Sequence, residues 1–516
     1  MNDKKIKDLQ GLFISRGYNP VIGTIYQKQE YWLSWYRGDV DGIHTMQKKN
    51  AEGTLIAITK PSLQMAKKVA EDLTSLLFNE NVTLSVNDKS AQTILDEVLD
   101  RNNFYDEMPN FVELTAGPYG TGVMIEYIAD DMTMVNYLFG DKVYVIDYNN
   151  TTAKGVAVVQ EFQKDKMKYT HIMYLTMVEG KYRIQHEMYS TKEGNKGIGH
   201  PASLSALFSE KEMNKMKHNT EVDGDIVVEY YTEYDTDTPH FQVFKLAIAN
   251  NYDVKSPLGI SQYANAISTL ENIDEKYYSS RMESINKRVR LFIDDEASKL
   301  QKYKNPTTNQ IEYKKYFDPD ETQFQTLKGM TADGQKAIEI FAPTYEIEKH
   351  DKGIQAELNY LSLKCLGSTD YYNFEGGAVG YQNELNTISS NSDLYRFRQK
   401  HLNKLEQVLV GMMKSILFLE NDLGNYTGKL DLEYTVQFDD DLMTDDATKL
   451  AQLRLDAYDG YAPEYMYVMA AYKIDKTAAL KQLAEAGSDY KEPEPVTPIV
   501  PPVDQDDEDE IDEDEE

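Results

Sequence analysis

The sequence predicts an α+β fold, and three observations carry that prediction. Apolar residues recur at helical spacing through most of the first 110 residues. From Gly120 to about Leu246 the period shortens to two. Beyond it, two long polar-amphipathic segments, Pro257–Arg288 and Asn383–Leu419, flank a β-rich insert. With 516 residues, 41% of them hydrophobic and 11% aromatic, the chain can hold about two to four domains with cores of their own.

Taken in order, Glu30–Gly38 sets Trp32, Trp35 and Tyr36 on one helical face and stops at glycine. This spacing suits core packing. The next helix spans Ser62–Glu80, with Leu63, Ala66, Ala70, Leu73, Leu76 and Leu77 along one stripe and Ser62 as its cap after Pro61. Short alternating runs follow at Val123–Ile128, Met134–Leu138, Val143–Ile146, Val156–Phe162, His171–Leu175, Tyr182–His186, Ile226–Tyr231 and Phe241–Leu246. Even spacing without intervening helices implies an antiparallel sheet.

Ile260, Tyr263, Ala264, Ile267, Leu270, Ile273 and Tyr277 then recur at helical spacing. About 29 residues at 1.5 Å each would make a strut about 43 Å long. The insert opens with the β-branched Val289–Ile293 and has a possible helix at Glu296–Tyr303. It turns at Pro306–Asn309 and continues with strands near Ile311–Phe317 and Gln323–Leu327. Helical pattern resumes at Ile354–Leu366, a loop spans Gly367–Gln382, and the second long helix follows. Leu430–Phe438 alternates as a strand. Asp445–Tyr458, Pro463–Ala471 and Lys476–Ala486 read as short terminal helices.

Net charge is −32, which argues against gripping a nucleic-acid backbone with the whole surface. Eleven of the last thirteen residues, Asp504–Glu516, are acidic and follow the proline-rich Pro493–Val503. Self-repulsion is expected to keep the chain from about Ser488 onward disordered, as a solvating or partner-binding tail. The 38 tyrosines, against 17 Phe and 2 Trp, suit both strands and surfaces buried on association. The one cysteine, Cys365, falls in an apolar helical pattern and reads as a buried, inert thiol in a reducing compartment. Met1-Asn-Asp-Lys-Lys lacks a signal peptide's apolar core. The longest apolar run, Val408–Leu419, is broken by Lys414 and too short to span a bilayer. A soluble protein made in a cytoplasm is expected.

The inventory of catalytic motifs is thin, and no cofactor is expected. The eight histidines form no HExxH, and neither a GxSxG elbow nor a phosphate loop with its lysine is present. Gly117-Pro-Tyr-Gly-Thr-Gly122 precedes a strand, so its glycines read as a tight turn rather than a nucleotide cradle. Gly376-Gly-Ala-Val-Gly380 lacks a lysine and is flanked by Glu375 and Glu384, which suits a hinge. Asp439–Asp441 has no cation-loop spacing. Basic residues cluster at Arg281, Lys287, Arg288 and Arg290, and again at Arg396, Arg398, Lys400 and Lys404. Pairing with carboxylates of a neighbouring subunit is favoured for them over meeting phosphate.

The order and spacing of several segments resemble the portal proteins of tailed bacteriophages, those of long-tailed phages of Gram-positive hosts in particular. They are Trp32–Gly38, Ser62–Glu80, Gly120-Thr-Gly122, Pro257-Leu-Gly-Ile-Ser-Gln-Tyr263, Ile273-Asp274, Arg288–Ile293, Asp370-Tyr-Tyr-Asn-Phe374, Ser389–Asp393 and Tyr395-Arg396. The resemblance runs from about Trp32 to Ala486. Where relatives begin the long helix with a Thr-Ala-Thr-Glu-Val type segment, this chain has Asn383-Glu-Leu-Asn-Thr387.

The resemblance implies a portal plan: a wing over 1–253, a stem helix over 254–288, a clip over 289–343 and a second stem helix over 344–366. A tunnel loop over 367–382, a long helix and strand returning to the wing over 383–444, a crown over 445–487 and the acidic tail over 488–516 complete it. Such chains form rings, usually of about twelve copies, at one capsid vertex. Implied partners are duplex DNA in the channel, the terminase large subunit, a head-completion or adaptor protein, and the major capsid and scaffolding proteins, with no membrane. The implied locations are the virion and, during assembly, the host cytoplasm. Ser368, Thr369, Tyr371, Tyr372, Asn373, Glu375, Gly376, Gly377 and Tyr381 would face the channel. Arg281, Lys287, Arg288, Arg290, Arg396 and Arg398 would make subunit or partner contacts. The alternative is an acidic-tailed binding module for basic proteins, which would lose its partner on truncation at Ser488.

Overall fold

The computed structural model describes residues 3–21, 24–49, 54–79, 82–150, 152–195, 197–219, 229–236, 238–288, 290–294, 301–304, 311–314, 324–327, 338–369, 371–372, 384–438, 446–458 and 463–472, with single positions 479 and 483. The chain divides into two units, Met1–Asp439 and Asp440–Glu516. Its helices are α1 (Asp3–Ser15), α2 (Thr24–Arg37), α3 (Met65–Leu77), α4 (Lys89–Arg101), α5 (Phe104–Leu114), α6 (Glu210–Met213), α7 (Ile267–Asn286), α8 (Ile347–Leu366), α9 (Glu384–Asp422), α10 (Asp446–Tyr458) and α11 (Glu464–Tyr472). The mixture of helix and antiparallel strand is the expected α+β class.

The amphipathic faces read from the sequence form the core. Trp32 and Trp35 are buried on α2, which ends at Gly38 with φ +68. On α3, Ala66, Ala70, Leu73, Leu76 and Leu77 are buried together. That helix begins three residues later than Ser62. Gln64, in a left-handed conformation, occupies the cap position without a side-chain bond, while the Ser62 hydroxyl accepts from Gln64 N at 3.0 Å and donates to Asp274.

The eight anticipated strands are found, the Ile226–Tyr231 one from Glu229 onward with 226–228 outside the described residues, but they divide between two antiparallel sheets rather than one. Thr121–Ala129 lies between Met132–Phe139 and Phe241–Lys245. The larger sheet runs Lys217–Asn219, Glu229–Tyr234, Lys181–Lys192, Met167–Val178, Thr152–Lys164, Val143–Asn149. These strands outrun their apolar cores because hairpin pairing carries polar residues along, as in Met167↔Lys192 and Lys164↔Met167. Asp130-Asp131, Asp165-Lys166 and Glu179-Gly180 all have positive φ, the geometry that two-residue hairpin turns need.

The first long helix is shorter than predicted. Regular α-helix begins only at Ile267, after a 3-10 turn at Ala264–Ala266, so α7 is about 30 Å long over its 20 residues. Pro257–Tyr263 is buried irregular chain instead, laid across the α5 terminus. A Cβ on Gly120 would sit 2.6 Å from the Ile260 carbonyl carbon. The close backbone approach takes the Ile260 side chain into the core, and Gln262 N donates to Ala116 O at 2.8 Å. Gly120 is thus a packing glycine, with φ +67 after a π-turn at Thr115–Tyr119.

Between α7 and α8, Arg290–Asp294 pairs parallel with Phe324–Leu327 and antiparallel with Ile338–Phe341, a strand the sequence pattern did not flag. Gln301–Lys304 pairs with Ile311–Lys314. Residues 301–303 are therefore strand rather than the end of a helix; 295–300 lie outside the described residues. α9 closes the first unit. Gly411 packs on Gln242, His240 Nδ1 and Ser415 Oγ are 2.8 Å apart, and His401 Nδ1 accepts from Ala247 N at 3.0 Å. Tyr434–Gln437 then pairs with Thr83–Val86.

The second unit contains α10 and α11, near their expected bounds, with Ala457 and Val468 buried. The acidic tail and most of the predicted Lys476–Ala486 helix lie outside the described residues.

Candidate functional site

α7 and α8 form an antiparallel hairpin that is buried at one end and open along the rest. α7 buries four of its twenty residues, Thr269, Leu270, Ile273 and Asp274, all in its first eight positions. α8 buries Leu358, Leu361, Ser362, Cys365 and Leu366, all in its last nine. The junction of these two ends with the body is polar and buried.

At its centre is Asp274. Its carboxylate accepts from Leu63 N (2.7 Å), Ser62 Oγ (2.8 Å) and His44 Nε2 (2.9 Å). His44 Nδ1 accepts from Val40 N at 2.9 Å, so the ring carries its proton on Nε2 and donates to Asp274. A buried carboxylate needs several donors to offset its desolvation, and here the segments before α3 supply them. Next to it, Lys60 Nζ reaches Glu275 at 2.6 Å and lies over the Tyr278 ring. Sequence reading picked out Ile273-Asp274 but not its partners. An acid directly after Ile273 and four residues after Leu270, on the apolar side of the helix, was the available signal.

Further along, Lys276 Nζ bonds Gly353 O (3.0 Å) and Glu357 (2.8 Å), tying one helix to the other. At the far end Glu283 pairs with both Lys287 and His350, and Lys287 Nζ also donates to Thr344 O at 3.0 Å. The Lys287 ammonium, with Glu346 N and His350, holds the Glu283 carboxyl below its usual range. Lys287 is thus half-buried and used within the chain, whereas Arg281 and Arg288 are exposed. Tyr277, Arg281, Ile285 and Arg288, at i, i+4, i+8 and i+11, follow one exposed stripe of the α7 segment. On α8, Ile347, Tyr360 and Leu363 are more than half exposed. Glu348 and Asp351, near the Arg281–Arg288 end, are exposed acids.

α8 stops at Gly367, φ +72, where the predicted loop begins. Tyr372 N donates to Ser362 Oγ (3.2 Å) and Gln355 Nε2 donates to Tyr372 O (2.9 Å), folding the loop's first residues back on α8. Ser368 and Tyr372 are consequently buried, while Thr369 and Tyr371 are at the surface. Burial and the nearby Asp72 raise the Tyr371 hydroxyl to about 12 and push Tyr372 up further. Asn373, Glu375, Gly376, Gly377 and Tyr381 lie outside the described residues. Cys365 is fully buried and its thiol is pushed up to about 12 by burial, so it stays an unreactive thiol at neutral pH.

Two basic positions on α9 differ. Arg396 is exposed beside Asp393 (3.5 Å). Arg398, expected at a contact surface, is 2% exposed and donates from Nε to Leu76 O at 2.6 Å. It satisfies the open C-terminal end of α3 from inside the subunit. The backbone of Arg290 begins the strand after α7; its side chain lies outside the described residues.

No group of three or more His, Cys, Asp or Glu that could hold a metal occurs among the described residues, and no described helix is long and apolar enough to cross a membrane. A cleft of about 560 Å³ beside Phe241–Asn250 carries Lys245 and Lys404, but no carboxylate or imidazole lines it.

A family model for phage portal proteins of the SPP1 Gp6-like type matches residues 24–492. The chain belongs to this portal protein family. The match begins at the first residue of α2 and takes in the α7–α8 hairpin, the β insert between its helices and all of α9. Comparison with curated proteins finds no match. Family membership gives the chain a phage portal role, which is structural. The surface of the α7–α8 hairpin presents paired charges and exposed apolar side chains.

Proposed function

We propose that copies of this chain close into a ring at one capsid vertex, a channel through which DNA is packaged and later ejected. In this reading the body is the wing, α7 and α8 are stem helices, the β insert is the clip, and α10 with α11 belongs to the crown. The clip would dock the terminase large subunit and then a head-completion or adaptor protein. Capsid and scaffolding proteins would meet the outer surface.

The observation that carries this reading is the hairpin itself. One end is locked into the body by Asp274; the remaining length exposes Tyr277, Ile285 and Ile347, and the outward face of the locked end exposes Tyr360 and Leu363. A lone soluble chain gains nothing from five large apolar side chains on one helix pair. A closed ring uses two different faces of each copy, one complementary to the other. The exposed Arg281 and Arg288 and the exposed Glu348 and Asp351 near the same end supply such a pair of opposite signs.

Charge also suits the conduit. DNA should slide rather than stick, and a net charge of −32 leaves few phosphate contacts to break during movement. The exposed Thr369 and Tyr371, where the loop leaves α8, would lie at the channel wall together with residues 373–381.

Reversing both arginines tests the reading. The Arg281→Glu, Arg288→Glu double variant should raise the concentration needed for assembly several-fold at low salt, with less difference at high salt. Unchanged assembly of that variant at low salt would remove the charged stripe from the interface.

A further inference from the structure

One surface feature is not absorbed by the stem. Thr45–Lys49 and Leu55–Thr59 form an antiparallel hairpin with register Thr45↔Thr59 through Lys49↔Leu55. Neither strand pairs with a third among the described residues. Its aliphatic side chains do not join the core: Leu55 is 57% exposed and Ile56 is 43% exposed. A two-stranded ribbon of this length is marginal in water by itself, and an uncovered edge is a template for pairing with another chain.

The base of this ribbon is held firmly. Lys60 N donates to His44 O at 2.8 Å, closing the two strands together. His44 then bonds Asp274, and Lys60 Nζ bonds Glu275. Both ends of the hairpin are therefore fixed to the first half of α7, one turn before the exposed stripe that starts at Tyr277. A rigid root beneath an exposed apolar blade is the construction of an arm, not of a loosely tethered loop.

We infer that the Thr45–Thr59 hairpin grips the next copy of this chain, burying Leu55 and Ile56 against it. The inference rests on the ring reading and adds a second element to its interface. The occupant follows from continuity and charge. The ribbon's root adjoins the α7 face already assigned to a neighbouring copy. Its first strand ends at the exposed Lys49 in a chain whose net charge is −32, so another copy offers the complementary acidic surface.

The test compares the full-length chain with its Leu55→Asp, Ile56→Asp variant. Both side chains are outside the core, so melting of the dissociated chain should be unchanged. The concentration at half-assembly, read by mass photometry, should rise at least tenfold. Independently of any variant, hydrogen exchange of the 45–59 amides in the unmodified protein should slow on assembly. Unmodified protein that assembles while these amides exchange as fast as before, with the variant assembling equally well, overturns the arm and leaves the ring intact. Unmodified protein that never assembles overturns both.

Discussion

α3 and α7 are both amphipathic in sequence, yet they end up in opposite circumstances. α3 buries nine of its thirteen residues, whereas α7 buries four of twenty. The stripe on α3 is answered inside the chain by α2, α5 and α9, which pack against it. The stripe on α7 is answered only near Asp274, and beyond that Tyr277, Ile285 and the facing residues of α8 meet solvent. Periodicity reports that a face will be covered; it does not say by which chain. In the proposed ring the second half of the answer belongs to the neighbouring copy.

If body and hairpin are stabilised this differently, acid should separate them most strongly. Burial holds His171, His240 and His401 down to about 3 and His186 to about 4, all in the body. An unfolded chain takes up those protons near pH 6.5 and the folded one does not. Their contribution is therefore complete above pH 6.5 and lost as pH falls toward 4. At about 1.4 kcal/mol per pH unit for each imidazole, the four bring the body near the limit of a typical domain's margin around about pH 5. Thermal melts of the dissociated chain should show Tm falling steeply from pH 6.5 to 5. A flat Tm over that range would mean these imidazoles are not protected as described.

Smaller, but sharper in position, is removal of the lock between the two regions. Asp274→Ala leaves His44 Nε2, Ser62 Oγ and Leu63 N without their acceptor and should cost about 3 kcal/mol by urea unfolding. A loss below about 1 kcal/mol would show that water replaces the carboxylate there. The outward face of α8 at that locked end should behave in reverse. Tyr360→Asp with Leu363→Asp should leave monomer stability within about 0.5 kcal/mol, since both are exposed, yet raise the half-assembly concentration at least tenfold. Destabilisation of the monomer instead would place those side chains in the chain's own core. The least effect is expected from ending the chain at Ser488: assembly should be unchanged by mass photometry, whereas an acidic-tailed binding module would lose its partner.

Much of this architecture was legible because local pattern and burial agree. The eight strands from Val123 to Leu246, the Trp32–Trp35 face and the α8–α9 succession follow from periods of two and 3.6. What escaped depends on contacts distant in sequence. The helical spacing of Ile260 and Tyr263 misled, because Pro257–Tyr263 is buried as irregular chain whose backbone packs on Gly120 and bonds Ala116. Ser62 looked like a cap, but the helix starts only at Met65, and the Ser62 hydroxyl accepts from Gln64 N and donates to Asp274, 212 residues away. Arg398 had the composition of a surface stripe and lies inside, because α3 ends against α9. The Thr83–Val86 and Tyr434–Gln437 pair joins segments about 350 residues apart, so neither partner reveals its mate. The candidate site was legible as basic clusters on long helices and in the Ile273-Asp274 pair, while the partners that Asp274 finds at His44, Ser62 and Leu63 were not.

The central claim is that the α7–α8 face is completed by other copies of the chain. Its most direct test is the mass of the purified protein in solution, with negative-stain images of the same sample. The account predicts rings with a central hole and a mass near about 710 kDa, twelve times 59.2 kDa. A particle that stays at 59.2 kDa at every concentration, with scaffolding and capsid proteins present, would contradict it.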